Sequence, residues 1–171
     1  MRNKPLLIFI ILLQSACITT HSVPDMGHSQ VIASNKENGS NVFKFQSKLK
    51  KEKTRNWIRN YLGLPKNNDL VNTEVKLFPD VDYIFIITVN LAHDREETLY
   101  LHEFFDKDRK LETEEGPVKF FVSIQVIDQF GVDHLSSSSI FQEKVHQYLL
   151  NLEKEFNDFS RKYPEQNYFN G

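Results

Sequence analysis

An apolar stripe near the C-terminus places the strongest constraint on how this 171-residue chain can fold. Large apolar side chains recur there every three or four residues, which is the period of an α-helix with one buried face. The spacing predicts a helix over residues 140–163, roughly 36 Å long at 1.5 Å per residue. Ser139 and Gln142 form a capping-box pair at its start, and Pro164 ends it. The stripe consists of Phe141, Val145, Tyr148, Leu152, Phe156, Phe159 and Tyr163.

A helix with one apolar face needs a second layer, and the preceding sequence predicts an antiparallel sheet. Residues 118–127 alternate apolar and polar side chains, as does a strand with one buried face. Residues 83–91 are apolar at nearly every position, which indicates a strand in the middle of the sheet. Residues 73–78 and 97–105 are also predicted strands, and a polar turn over residues 106–110 follows the latter. Short polar links between successive strands favour a meander.

A short strand and a second helix are predicted before this group of strands. Residues 42–46 alternate enough to form a strand, and Ser47 can cap the helix that follows. Gly63 and Pro65 supply the end of that helix. Its apolar stripe consists of Leu49, Trp57, Ile58, Tyr61 and Leu62.

This order of elements predicts one α+β domain over residues 42–164. The economical arrangement is a single antiparallel sheet of about five strands, with a short basic helix and a long C-terminal helix packed on one face. The 14 Phe and 6 Tyr, against only 6 Gly, indicate an aromatic core. A single cysteine excludes an intramolecular disulfide, so packing alone must stabilise the fold. Residues 165–171 are predicted to be a tail.

The first 16 residues have the composition of an export signal. Arg2 and Lys4 make the start basic, an apolar run follows over residues 6–13, and small residues come next. The run is well short of the roughly 20 residues that a membrane-spanning helix needs, so no transmembrane anchor is expected. Residues 17–41 are poor in large apolar side chains and are predicted to be a flexible tether.

The motif Leu13-Gln14-Ser15-Ala16-Cys17 resembles the lipobox of bacterial lipoproteins. Its last three residues match that pattern, whereas Gln14 stands where an aliphatic residue is usual. The resemblance covers residues 1–17 only. It implies that a signal peptide of residues 1–16 is removed and that Cys17 is acylated. Acyl chains would anchor the protein to a membrane of the bacterial cell envelope, facing the periplasm or the exterior. The alternatives are a conventional cleaved signal with an incidental cysteine, or an uncleaved apolar N-terminus.

The sequence predicts no catalytic, cofactor-binding or metal-binding residues. His102-Glu103-Phe104-Phe105-Asp106 begins like a zinc-protease motif, but Asp106 replaces the second histidine and the segment is predicted to be a strand. Asp106-Lys107-Asp108 with Glu112 lacks the interior glycine of a calcium loop. His93-Asp94 could form an oriented base, but this pair falls where a polar hairpin loop is expected.

Two further groups of polar residues carry no catalytic pattern. Ser136 to Ser139 are not part of the Gly-x-Ser-x-Gly elbow that exposes a nucleophilic serine. Glu112, Glu114 and Glu115 fall in a predicted loop rather than converging on a pocket. No cofactor is implied.

Charge constrains the class of partner. The net charge is −2, and loss of Arg2 and Lys4 with a signal peptide would make the chain more acidic, which argues against nucleic acid. The first predicted helix is nevertheless basic and could contact anionic lipid headgroups. Lys and Arg are also good helix formers on a solvated face. The basic residues are Lys48, Lys50, Lys51, Lys53, Arg55 and Arg59.

The leading functional hypothesis is a non-enzymatic, membrane-anchored envelope lipoprotein that binds or scaffolds another envelope protein. A small exported, hydrolase-like enzyme is the first alternative, and convergent histidine and carboxylate side chains would favour it. A carrier of an apolar small molecule is the second, and it requires an apolar cavity under the long helix. A protein-binding module should show an exposed apolar patch or an unpaired strand edge.

Overall fold

The computed structural model describes residues 17–33, 40–100 and 113–164. Within these residues it contains six strands and two helices, and the fold class is α+β as predicted. In chain order the elements are β1 (Cys17–His21), β2 (Gln30–Ile32), β3 (Val42–Ser47), α1 (Lys51–Tyr61), β4 (Thr73–Val75), β5 (Phe85–Tyr100), β6 (Thr113–Ile127) and α2 (Gln142–Lys162).

The chain divides into two compact units that share the long strands β5 and β6. Of the described residues, unit 1 contains 17–24, 94–100 and 113–119. Unit 2 contains residues 25–33, 40–93 and 120–164. Both helices belong to unit 2, together with β2, β3 and β4.

In unit 2 the strands form an antiparallel sheet in the order β4-β5-β6-β3-β2. The register places Phe45 opposite Val122 in the β3–β6 pair, and β2 continues the sheet beside β3. The predicted single antiparallel sheet of about five strands is therefore confirmed. The order is a meander from β4 to β6, and the N-terminal strand β3 then adds to the far side of β6.

The core of unit 2 lies between one face of this sheet and the two helices. Alternate apolar side chains of β3 and β6 point into this core, and Phe45 and Val122 are at most 1% exposed. The ring of Phe156 in α2 lies 5.7 Å from Phe45 and 5.1 Å from Trp57 of α1. Both helices thus pack on the same face, as predicted. Burying a side chain of this size stabilises a fold by roughly 1.5–3 kcal/mol.

A hairpin that the sequence predicted near His93 and Asp94 is absent, and that prediction was wrong. Strand β5 continues through these residues as one strand, Phe85–Tyr100, instead of two strands joined by a loop. The polar composition suggested a turn, but residues 92–97 contain no Gly, Pro or Asn to reverse the chain. Polar side chains are compatible with a strand where they face solvent.

Ser47 does not cap α1, contrary to the prediction. It is the last residue of β3, and the N-cap position belongs to Lys50, which makes no side-chain capping bond. The Ser47 hydroxyl donates to the carbonyl of Leu49 (2.9 Å) and lies 2.8 Å from Oγ1 of Thr54. Ser47 therefore holds the turn between the strand and the helix.

The capping box predicted at the start of α2 is also absent. The N-cap is Phe141, without a side-chain capping bond, so Ser139 lies two residues too early. Its Oγ instead accepts the N–H of Phe141 (3.1 Å). The serine-rich turn before the helix displaces the start of α2 to Gln142.

Gly63 ends α1 as predicted. It adopts a left-handed φ of +67°, and its N–H donates to the carbonyl of Asn60 (3.2 Å), while Leu64 N donates to Arg59 O (2.8 Å). These two bonds are those of a Schellman motif, which favours glycine because a Cβ is strained at positive φ.

Unit 1 is built on strand pairing near the start of the described chain. β1 pairs antiparallel with β5, and Cys17 is opposite Tyr100. Within the segment predicted to be a tether, residues 17–41, the structure thus contains β1 as well as β2 of unit 2. The predicted signal peptide of residues 1–16, the turn at 106–110 and the tail at 165–171 lie outside the described residues. The division into signal, tether, domain and tail stays a prediction.

Candidate functional site

The loop between β6 and α2 is organised by the buried carboxylate of Asp128, which is 4% exposed. Its Oδ1 accepts the N–H groups of Phe130 (2.8 Å) and Val132 (2.9 Å). Its Oδ2 accepts the hydroxyl of Tyr83 at 2.5 Å. A side chain that satisfies two backbone donors of its own turn fixes the path of that turn.

Burial and hydrogen bonding act on Asp128 in opposite directions. Burial raises the pKa of the carboxyl group, but the bonds from Tyr83, Val132 and Phe130 together with the nearby His134 outweigh it and lower the pKa below its ordinary value. The same bond raises the pKa of Tyr83. Asp128 is therefore ionised and Tyr83 neutral near pH 7.

His134 lies beside this carboxylate and is 2% exposed. Its Nδ1 is 2.7 Å from Oγ of Ser139, whereas its Nε2 is 3.7 Å from Oδ2 of Asp128. Nε2 has no hydrogen-bond partner among the described residues. Burial lowers the pKa of His134, and the nearby Asp128 and Asp133 oppose that shift without cancelling it.

Ser139, His134 and Asp128 thus converge, as the exported-enzyme alternative requires, but their geometry suits a structural role. His134 is within hydrogen-bond distance of Ser139 but not of Asp128. The 3.7 Å between its Nε2 and Oδ2 of Asp128 is too long for the hydrogen bond by which a carboxylate orients a catalytic imidazole. The rings of Tyr83, Phe85 and Phe141 lie 5.1–5.7 Å from the imidazole and enclose it. These hydrogen bonds and ring contacts fix the conformation of the loop between β6 and α2.

Large apolar side chains on the loop between β6 and α2 are exposed to solvent. Phe130 is 79% exposed and Ile140 is 92% exposed. They adjoin residues of the buried network, since Phe130 follows Asp128 in the turn and Ile140 follows Ser139. Together with Ile84 and Val132, which are also exposed, they are called the apolar loop surface below. Their segments are joined through Tyr83, which bonds Asp128 and packs its ring 5.0 Å from that of Phe141. Exposed apolar groups on neighbouring loops are typical of protein interaction sites.

A polar cleft of about 470 Å³ lies elsewhere in unit 2. Gln46 of β3 shapes one wall, because its Oε1 accepts the N–H of Met26 (2.8 Å) and its Nε2 donates to Asp25 Oδ1 (3.3 Å). The lining contains charges of both signs. The residues are Asp25, Met26, Gly27, Gln46, Lys48, Glu153, Asn157 and Arg161.

The residues weighed from sequence as candidate acid-base groups are not brought together as one site. Asp94 Oδ1 lies 2.9 Å from Nε2 of His21 in unit 1, so its partner is not the neighbouring His93. The ring of His93 is 6.3 Å from that of Phe120 in unit 2. No pattern in the sequence indicated the pairing of His21 with Asp94, which are 73 residues apart.

Several basic residues of α1 are engaged within the protein. Lys53 Nζ donates to the carbonyl of Tyr163 (3.0 Å), which lies at the C-terminal end of α2. Arg55 pairs with Glu52 (2.8 Å), and Arg59 Nε donates to the carbonyl of Asn68 (2.5 Å). These contacts support a structural role for part of the basic stripe.

The remaining sequence motifs lie partly outside the described residues. This holds for His102 to Asp106, for Asp108 and for Glu112. Glu114 and Glu115 belong to β6 rather than to a loop, which corrects that expectation. In the described part of the chain, no three His, Cys, Asp or Glu residues are grouped so that they could hold a metal ion. Neither described helix is long and apolar enough to cross a membrane.

Comparison with known proteins assigns no family: no family model matches the chain, and no curated protein or solved structure matches it either.

Sequence reasoning missed both the Asp128 network and the polar cleft. Asp128-Gln129-Phe130-Gly131 does carry a turn signal, an aspartate with a glycine three residues later. Nothing in the local sequence shows that Tyr83 reaches this aspartate from 45 residues away. The cleft is assembled from three separate segments, which no local pattern could have joined.

Proposed function

We propose that the protein is a non-enzymatic, lipid-anchored module of the bacterial cell envelope that binds another envelope protein through the apolar loop surface. The observation that carries the proposal is the exposure of Phe130 and Ile140 on a backbone held by buried polar groups. An aromatic side chain on a rigid loop is a typical hot spot, because little conformational freedom is lost when a partner covers it.

A protein suits this surface better than a lipid bilayer does. Asp82 lies two residues from Ile84 in the chain, and Asp133 directly follows Val132. Anionic headgroups would repel these carboxylates, whereas a protein can present an apolar recess with donors at its rim. The partner is therefore proposed to offer an apolar pocket for Phe130.

The anchor part of the proposal rests on the lipobox-like motif that ends at Cys17. Acylation of this cysteine would attach the domain to a membrane, with its surface facing the periplasm or the exterior. No nucleic acid is proposed as a partner. No cofactor is proposed, because the sequence has no cofactor-binding motif.

The other two functions have weaker support. An exported enzyme would need Ser139, His134 and Asp128 to be accessible, yet the last two are at most 4% exposed. A carrier of an apolar molecule needs space under α2. In the described core, Phe45, Leu149 and Phe156 fill that region and are each at most 1% exposed.

Site-specific photo-crosslinking in intact bacteria tests the docking surface. A photoreactive amino acid replaces Phe130 or, as a control, the exposed Lys154 on α2. We expect a discrete protein adduct from position 130 that disappears when Ile140→Ser is added, and no such adduct from position 154. Adducts to lipid, or equal adducts at both positions, would contradict docking to a protein.

The anchor is tested by intact mass and detergent partitioning of the protein and of Cys17→Ser, both expressed in a bacterium. The native form should lose residues 1–16, gain the mass of acyl chains and enter the detergent phase. The variant should remain in the aqueous phase. If both forms partition alike, the protein is not lipid-anchored through Cys17.

A further inference from the structure

The polar cleft has an ordered distribution of charge along its α2 wall. Glu153, Asn157 and Arg161 are four residues apart and therefore share one face of the helix. From position 153 to position 161, eight steps along the chain, the helix rises about 12 Å. A carboxylate thus lies toward one end of this wall, a guanidinium toward the other, and an amide between them.

The opposite wall is held in place by hydrogen bonds. Gln46 is bonded to Met26 N and to Asp25, so the segment before β2 is tied to β3. Lys48 follows two residues later and adds a second cation to the lining. The lining thus contains backbone and amide groups as well as charged side chains.

Two of the charges are available to a ligand. Within the described residues, neither Glu153 nor Lys48 forms an ion pair. Arg161 contacts Asp158 through Nη1 at 3.5 Å, and a guanidinium has five N–H donors in all. The cleft can therefore attract an amino group and a carboxylate at the same time.

We propose that the polar cleft binds a short peptide with free termini, two or three residues long. Its amino group would lie against Glu153 and its carboxylate against Arg161 and Lys48. An extended tripeptide spans at most about 10 Å, which fits between the ends of the α2 wall. The amides of Gln46 and Asn157 offer donors and acceptors to the peptide bonds. The volume of about 470 Å³ suits a small molecule.

A ligand with only one kind of charge fits less well. The lining contains two carboxylates, Asp25 and Glu153, and two cations, Lys48 and Arg161. A dicarboxylate would meet the former and a polyamine the latter, so each would bring like charges together. A peptide with free termini is attracted at both ends of the cleft, whereas a ligand with charges of one sign is repelled at one end. The cleft should therefore select a zwitterion. The site shares no residue with the apolar loop surface, so either proposal can fail without the other.

The ligand class is tested by titrating the purified full-length chain, in a non-ionic detergent, with tri-alanine. Tri-alanine has no charged side chain, so its termini alone report on the cleft. N-acetyl-tri-alanine and tri-alanine amide each lack one terminal charge and should bind about fivefold more weakly. No saturable binding of tri-alanine up to about 10 mM, or equal affinity for the blocked peptides, would overturn the proposal.

Variants place the peptide in the cleft. Glu153→Gln should weaken tri-alanine binding about fivefold but leave N-acetyl-tri-alanine unchanged, because the lost charge pair is already absent there. Arg161→Gln should likewise weaken the binding of tri-alanine about fivefold but leave the binding of tri-alanine amide unchanged. Lys154→Gln, on the exposed part of α2, is the matched control. If it weakens binding as much as Arg161→Gln does, the peptide is held by general charge and not by this cleft.

Discussion

At the scale of single residues, Asp128 shows how a buried charge can be compatible with a stable fold. An isolated carboxylate in the interior would be neutralised, because removing a charge from water is costly. Here three donors face it, from Tyr83, Phe130 and Val132. The carboxylate in turn satisfies those donors in a partly buried environment. The side chain therefore stabilises the loop that presents the exposed Phe130.

Removal of this carboxylate should destabilise the protein strongly. Asp128→Ala leaves three donors without their acceptor, at about 1 kcal/mol each, so we expect the free energy of unfolding to fall by about 3 kcal/mol. Urea unfolding measures the change. Asp82→Ala is the control, because Asp82 is fully exposed and, among the described residues, pairs only with Lys76, and its effect should stay within about 0.5 kcal/mol. Equal effects of the two variants would show that the Asp128 network is not stabilising.

Acidification should destabilise the fold through two groups. The pKa of His134 is lowered in the folded state, so below pH 6.5 the unfolded chain binds a proton that the folded chain does not. Stability therefore falls as the pH drops below about 6.5. The pKa of Asp128 is also lowered, so stability present above pH 3.8 is lost as the pH falls further.

The contribution of His134 can be separated by substitution. His134→Phe preserves an aromatic ring among Tyr83, Phe85 and Phe141 but cannot titrate. Urea unfolding between pH 7.5 and pH 5, the range where histidine titrates, should show a smaller loss of stability for this variant. The same pH dependence in both proteins would exclude His134 as its source.

At the scale of elements, the ends of the helices depend on backbone conformation more than on side-chain caps. Neither α1 nor α2 has a side-chain bond at its N-cap, and α1 ends through the left-handed Gly63. Lys53 of α1 bonds the Tyr163 carbonyl just beyond α2, so one helix satisfies the end of the other. These ends are therefore set by neighbouring turns and helices.

Gly63→Ala should cost about 1 kcal/mol of stability, because a Cβ is strained at positive φ although there is open space around it. Gly27→Ala is the matched control. A Cβ there also meets nothing within 4 Å, and its φ is not in the left-handed region. Thermal unfolding should show a lower Tm for Gly63→Ala only. A Tm that is unchanged in both variants would mean that α1 does not depend on this motif.

At the scale of the whole molecule, aromatic residues serve two opposite purposes. Phe156 of α2 is fully buried against β3 and α1, whereas Phe130 is 79% exposed. Both contribute to the aromatic composition, but only burial converts an aromatic side chain into folding stability. Composition alone therefore indicates a well-filled core without distinguishing the residues that form it from those that face solvent.

The two phenylalanines should respond differently to truncation. Phe156→Ala should lower the free energy of unfolding by about 3–5 kcal/mol, the usual cost of a large core cavity. Phe130→Ala should change it by no more than about 0.5 kcal/mol. Urea unfolding of both variants distinguishes the roles. Substantial destabilisation by Phe130→Ala would place that ring against the protein and argue against the apolar loop surface.

The sequence by itself determined the local features of this protein. The 3.6-residue period of the C-terminal stripe and the alternation in residues 118–127 arise from backbone geometry, so α2 and β6 were predictable. Gly63 marked the end of α1 because positive φ favours glycine. The α+β class followed from the need to cover the apolar face of α2.

Only the tertiary structure decided the strand order and the candidate sites. The addition of β3 beside β6, the continuity of β5 and the contact of Tyr83 with Asp128 depend on partners distant in the chain. The polar cleft likewise joins Gln46 to the α2 residues more than a hundred positions later. Side-chain periodicity reports which face of an element is buried but not what covers it, so such contacts are decided by packing.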